Sequence, residues 1–85
     1  MDDDLEDRLR EVAATVLGVD SDVLSDDTSP ETLAAWSSVQ HLSLIAAVEE
    51  AFAIRFSMAE IYATQSFGAL RHIVSEHLAR GPVHG

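Results

Sequence analysis

Three stretches of this chain repeat apolar residues at steps of three and four, and that helical period is the strongest constraint on its fold. Leu5, Leu9, Val12 and Val16, with Ala13 and Leu17 alongside, draw the first stripe. Val39, Leu42, Ile45, Val48 and Phe52 draw the second, widened by Leu44; Phe67, Leu70, Ile73, Val74 and Leu78 draw the third. Such spacing keeps one face of a helix apolar and gives that face to a core. End chemistry places the boundaries. Asp2, Asp3 and Asp4 suit the positive end of a helix dipole and Gly18 is placed to end the same helix, which predicts a helix over about 3–17. The second stripe predicts a helix over about 38–52. Ser57 with Glu60 three residues on is a capping-box pattern, opening a short helix through about Tyr62. Ser66 caps the last helix, Gly81-Pro82 stops it, and residues 81–85 are expected to be frayed.

Residues 18–36 keep no sustained period and carry turn chemistry in Asp20, Ser21, Asp22, Ser25, Asp26, Asp27, Thr28, Ser29 and Pro30. A loop this long is unusual in a small domain unless it is functional or pinned. Val19, Val23, Leu24 and Leu33 are spaced through it as anchors, with a short turn of helix expected near Glu31–Leu33. The expected architecture is all-α: a four-helix bundle with three longer helices, one short third helix and a long first loop. At 85 residues and 47 % apolar there is room for one folded domain over 1–85, ordered from about 3 to 80.

Charge narrows the partners. Fifteen acids stand against five arginines and no lysine, a net charge of −10, and residues 1–31 alone carry −9. Such a surface repels phosphate backbones and anionic lipid and steers towards basic protein patches, so neither nucleic acid nor membrane is expected as a partner. A solvated, solubilising face is the plainest role of the N-terminal acids. There is no cysteine, hence no disulfide, thiolate metal site or cysteine nucleophile. No apolar run approaches a membrane span, and a leader would need a basic start, so a cytoplasmic monomer is the expectation.

The second helix starts where two serines meet, at Trp36-Ser37-Ser38-Val39. Ser37-x-x-Gln40 is a capping-box spacing: Ser37 accepts from the backbone N–H of Gln40 while Gln40 reaches back. Ser38 then stands as the first residue inside the helix, its hydroxyl free of capping duty, beside unpaired backbone N–H groups. That place suits a phosphate esterified to a serine oxygen. Helix-start chemistry alone favours two purely structural serines.

From about Leu5 to Leu78 the sequence resembles an acyl carrier protein. The resemblance is strongest over residues 36–56, Trp36-Ser37-Ser38-Val39-Gln40-His41-Leu42-Ser43-Leu44-Ile45 through Glu49-Glu50-Ala51-Phe52 to Phe56. The family pattern there is Asp-Ser-Leu, an apolar helix ending in paired glutamates and Phe, and a short segment leading to a small third helix. Ser37 stands where the family has Asp and keeps the capping chemistry without the charge; Val39 stands where it has Leu. The resemblance implies a covalent 4′-phosphopantetheine from coenzyme A on Ser38, and a non-catalytic carrier that holds an acyl-type intermediate as a thioester. It implies a phosphopantetheinyl transferase and acyl-loading, acyl-transferring or condensing enzymes as partners. It also implies a docking surface of Ser37, Val39, Gln40, His41, Glu49, Glu50 and Glu60. Trp before the motif and His-Leu after it resemble stand-alone carriers of specialised pathways, so fatty-acid, polyketide or other secondary-metabolite synthesis are the expected settings. An unmodified acidic helical interaction module with the same fold is the alternative that the residues leave open.

The remaining candidates read plainly. His41, His72, His77 and His84 show no metal-ligand spacing with carboxylates, so no metal site is expected, and no nucleophile elbow or phosphate loop appears. His72 and His77 read as surface residues near the negative end of the last helix, and His41 as an exposed side chain. Trp36 reads as packing, ahead of contact with an arm on Ser38.

Overall fold

A computed structural model describes residues 2–80 and contains four α-helices: α1 (Asp2–Leu17), α2 (Ser38–Phe52), α3 (Met58–Ala63) and α4 (Phe67–Ala79). The expected frayed tail and its Gly81-Pro82 stop lie outside the described residues. Helix α1 ends as its glycine requires: Gly18 takes φ +70°, and the Gly18 and Val19 N–H groups both donate to the Ala14 carbonyl. Helices α1, α2 and α4 enclose one core. Leu9, Leu44, Val48, Phe67, Leu70 and Val74 are fully buried in it, with Ala13, Leu17, Ile45 and Ile73 packed around them. Arg8 ties α1 to the far end of α2, donating to the Ala51 carbonyl at 2.8 Å with its guanidinium 5.1 Å from the Phe52 ring centre. The cation thus meets the negative helix end.

The long first connection is ordered by its own hydroxyls. A 3₁₀ turn spans Ser21–Val23 and drops Leu24 into the core, while Val23 stays exposed. The turn of helix expected near Glu31–Leu33 is a hydrogen-bonded turn instead. Thr32 and Leu33 N–H groups donate to the Ser29 carbonyl, but Thr32 Oγ1 also accepts from the Ser29 N–H. Side chains that bond their own backbone in this way compete with a helix. Thr28 and Ser29 are buried with these bonds made. The loop then docks on α4: Phe67 and Gly68 N–H groups donate to the Thr28 and Asp26 carbonyls, and Arg71 pairs with Asp26 at 2.8 Å.

The apolar stripes are only partly buried. Val39 and Leu42 are 74 % and 62 % exposed at the start of α2, because the core layer begins at Leu44 and Ile45. Leu78 is exposed in the last turn of α4, beyond the buried layer of Ile73 and Val74. One residue earlier on that helix, His77 is not the surface residue expected. Its ring lies against Phe56 and its Nε2 sits 3.0 Å from both Glu60 oxygens, with 11 % of the side chain exposed.

Candidate functional site

The turn into α2 is built by Ser37. Its backbone is extended and its Oγ accepts from the Gln40 N–H at 3.3 Å, so the helix begins at Ser38. The reciprocal half of the expected capping box is absent. Gln40 Nε2 donates to the Val16 carbonyl at 3.0 Å, binding the start of α2 to the last turn of α1. A carbonyl orphaned at a helix end is a stronger attraction for the amide than an exposed N–H that water can serve. Ser38 is exposed, and among the described residues its hydroxyl has no hydrogen-bond partner. Helix geometry leaves the first N–H groups beside it unpaired, and no acid stands in the first turn of α2.

A groove of about 420 Å³ opens directly at this serine, walled by Trp36, Ser38, His41, Leu42, Ile61 and Tyr62, with Pro30 and Ser37 at its rim. Trp36 is 1 % exposed, and its indole N–H donates to His41 Nδ1 at 3.0 Å. The other ring nitrogen, Nε2, donates to the Ile61 carbonyl at 3.1 Å. His41 is therefore a half-buried bridge between α2 and α3, not an exposed side chain. Trp36 packs, as expected, and lines the groove as well.

The acidic residues divide. Glu50 is exposed. Glu49 accepts from the Phe56 N–H at 2.7 Å and turns the chain from α2 towards α3. Glu60 completes a true capping box with Ser57: its carboxylate accepts from the Ser57 N–H at 2.9 Å while Ser57 Oγ accepts from the Glu60 N–H. The Ser57 N–H and His77 hold the Glu60 carboxyl below its ordinary value. Beside these stand apolar residues that the stripes assigned to the core or passed over: Leu42, Met58 and Tyr62 are exposed. Spacing gives a signal for two of them, since Met58 and Tyr62 share a face of a six-residue helix that buries nothing fully.

An exposed serine at a helix start, with a groove opening at it, is what a covalently attached phosphate-linked arm requires. The model of the phosphopantetheine attachment site family matches residues 7–74, and the chain belongs to that family of acyl-carrier-type proteins. Its fold is similar to the solution structure of holo acyl carrier protein from Geobacter metallireducens, at 32 % identity and TM-score 0.82. That match covers 93 % of this chain and 94 % of the other. No curated protein matches the chain. The family's group is a covalently bound 4′-phosphopantetheine, and the residues present fit it. A free hydroxyl, unpaired N–H groups with no competing carboxylate, and an apolar groove converge on one point.

Proposed function

We propose that Ser38 bears the 4′-phosphopantetheine arm and that the protein carries an acyl-type intermediate to its partner enzymes. The observation that carries this reading is the division of labour between the two serines: Ser37 caps α2 and Ser38, exposed and unbonded, does not. When bound, the arm supplies a terminal thiol that holds the cargo as a thioester. The protein's own residues do the rest. The positive end of α2 and its free N–H groups favour the phosphodiester, and Trp36, Leu42, Ile61 and Tyr62 offer apolar walls beside it. Tethering makes delivery intramolecular, with effective concentrations of order mM for short flexible linkers. A basic transferase or acyl-handling enzyme would meet Val39 and Leu42 on α2, Met58 and Tyr62 on α3, and the carboxylates of Glu49, Glu50 and Glu60. Ser37, Gln40 and His41 would hold the backbone of that face in place. A cytoplasmic location belongs to the same reading.

Intact mass after incubation with coenzyme A and a phosphopantetheinyl transferase tests it. The wild type and Ser37→Ala should gain one phosphopantetheine group, and Ser38→Ala none. Ser37→Ala should cost about 1 kcal/mol of stability for the lost cap. A gain that survives Ser38→Ala would move the site; no gain with any of several transferases would leave the unmodified interaction module standing.

A further inference from the structure

Helix α3 has no fully buried side chain, and only its Ile61 is sunk partly against the core. A helix of six residues is far too short to persist in water on its own. Its position is set by what pins it. From α4, His77 holds Glu60. From α2, His41 holds the backbone itself, through the Ile61 carbonyl. An indole N–H can only donate and a carbonyl can only accept, so one arrangement of the ring serves both partners: Nδ1 bare towards Trp36, Nε2–H towards Ile61. Trp36, His41 and Ile61 are also the buried and half-buried lining of the Ser38 groove, inside the exposed Leu42 and Tyr62, and three other surface depressions among the described residues share none of that lining.

We propose that this Trp36–His41–Ile61 relay is a cargo-length gate, with His41 as its positioning residue. It locks α3 to α2 and ends the groove at its inner wall. The carrier then shelters a short acyl group beside Ser38 and leaves the distal part of a long linear chain in solvent. A short group needs only the apolar faces of Leu42, Ile61 and Tyr62. A long chain can pass between α2 and α3 only by parting His41 from Ile61. That strips the half-buried His41 Nε2–H of its acceptor and leaves the Ile61 carbonyl only its 3.3 Å bond from the Thr64 N–H, and a stripped buried polar group costs more than a made bond returns. The inference rests on Ser38 as the bearer of the loaded arm.

The test is run in two ways so that the gate and the arm can fail separately. In the first, the modified protein is loaded with butyryl or dodecanoyl thioester and methyl and amide NMR shifts are compared. In the second no transferase is needed: the chain has no cysteine, so Ser38→Cys gives one thiol. Reaction with a butyl or dodecyl methanethiosulfonate forms its disulfide and releases methanesulfinate. With either attachment, both chain lengths should shift Trp36, Leu42, Ile61 and Tyr62, and the longer chain should add no shifts at Leu44, Val48, Phe67 or Val74. In His41→Ala the dodecyl or dodecanoyl chain should reach those core residues, while the four-carbon chain, too short to leave the groove, should still give no shifts there. Should that variant fail to fold, His41→Leu keeps bulk without either hydrogen bond and takes its place. Core shifts from the long chain in the His41-containing protein would overturn the gate, as would a variant at His41 that still excludes it. A merely structural role for His41 would lower stability without this dependence on chain length.

Discussion

At the scale of single residues, several side chains around Ser38 serve two ends. Ser37 caps α2 and sits at the rim of the groove, while Ser38 is exposed and unbonded. Gln40, His41, Glu49 and Glu60, which the family resemblance gives to a docking surface, each also hold a backbone group or a neighbouring helix. Glu60 makes a prediction in pH. Its carboxyl value in the folded protein lies below the ordinary 4.5, so the folded state prefers the charged form. The stability it contributes is present in full above pH 4.5 and is lost as pH falls through the lowered value. Glu60→Gln keeps an acceptor for the Ser57 N–H, as a capping box allows, but cannot titrate. Urea midpoints taken across the acid range should fall less steeply in this variant than in the wild type.

Among the elements, the second and fourth helices began where the serine caps predicted, and α1 and α3 ended within a residue of expectation. Period and caps are local, so they are legible. What ends α2 was not legible, because no glycine marks it: Ala53 takes φ +57° and ψ +48° as the C-cap. A left-handed alanine costs roughly 1 kcal/mol that glycine avoids. Ala53→Gly should therefore raise the urea midpoint, by up to about 1 kcal/mol in unfolding free energy. The reverse holds where the first loop meets α4. A Cβ at Gly68 would lie 3.0 Å from the Asp26 carbonyl oxygen and 3.1 Å from its Cβ. Backbone and side chain are both in the way, and Gly68→Ala should destabilise by roughly 1–3 kcal/mol, as overpacking does. The same measurement checks it.

For the whole molecule, a charge of −10 on 85 residues works against compactness through self-repulsion. Added sodium chloride shortens the screening length to about 8 Å at 0.15 M. The melting temperature of the unmodified protein should rise between low and physiological salt, while binding to a basic partner should weaken over the same range. The excess of acid was plain from composition; its division into free and engaged carboxylates was not.

Local patterns determined which stretches are helical, that Ser37 caps and Ser38 is spared, and that the surface is strongly acidic. Each is a matter of neighbours within about one turn, where the chain's own chemistry decides. Only the tertiary structure decided which part of each stripe is core. The packed layer of α2 starts at Leu44, so Val39 and Leu42 stand out beside Ser38. Likewise only the approach of distant segments turned His77 inward to Glu60 and set His41 between Trp36 and Ile61. Burial and cross-helix hydrogen bonds depend on where another element's surface begins, and no single-helix period carries that information.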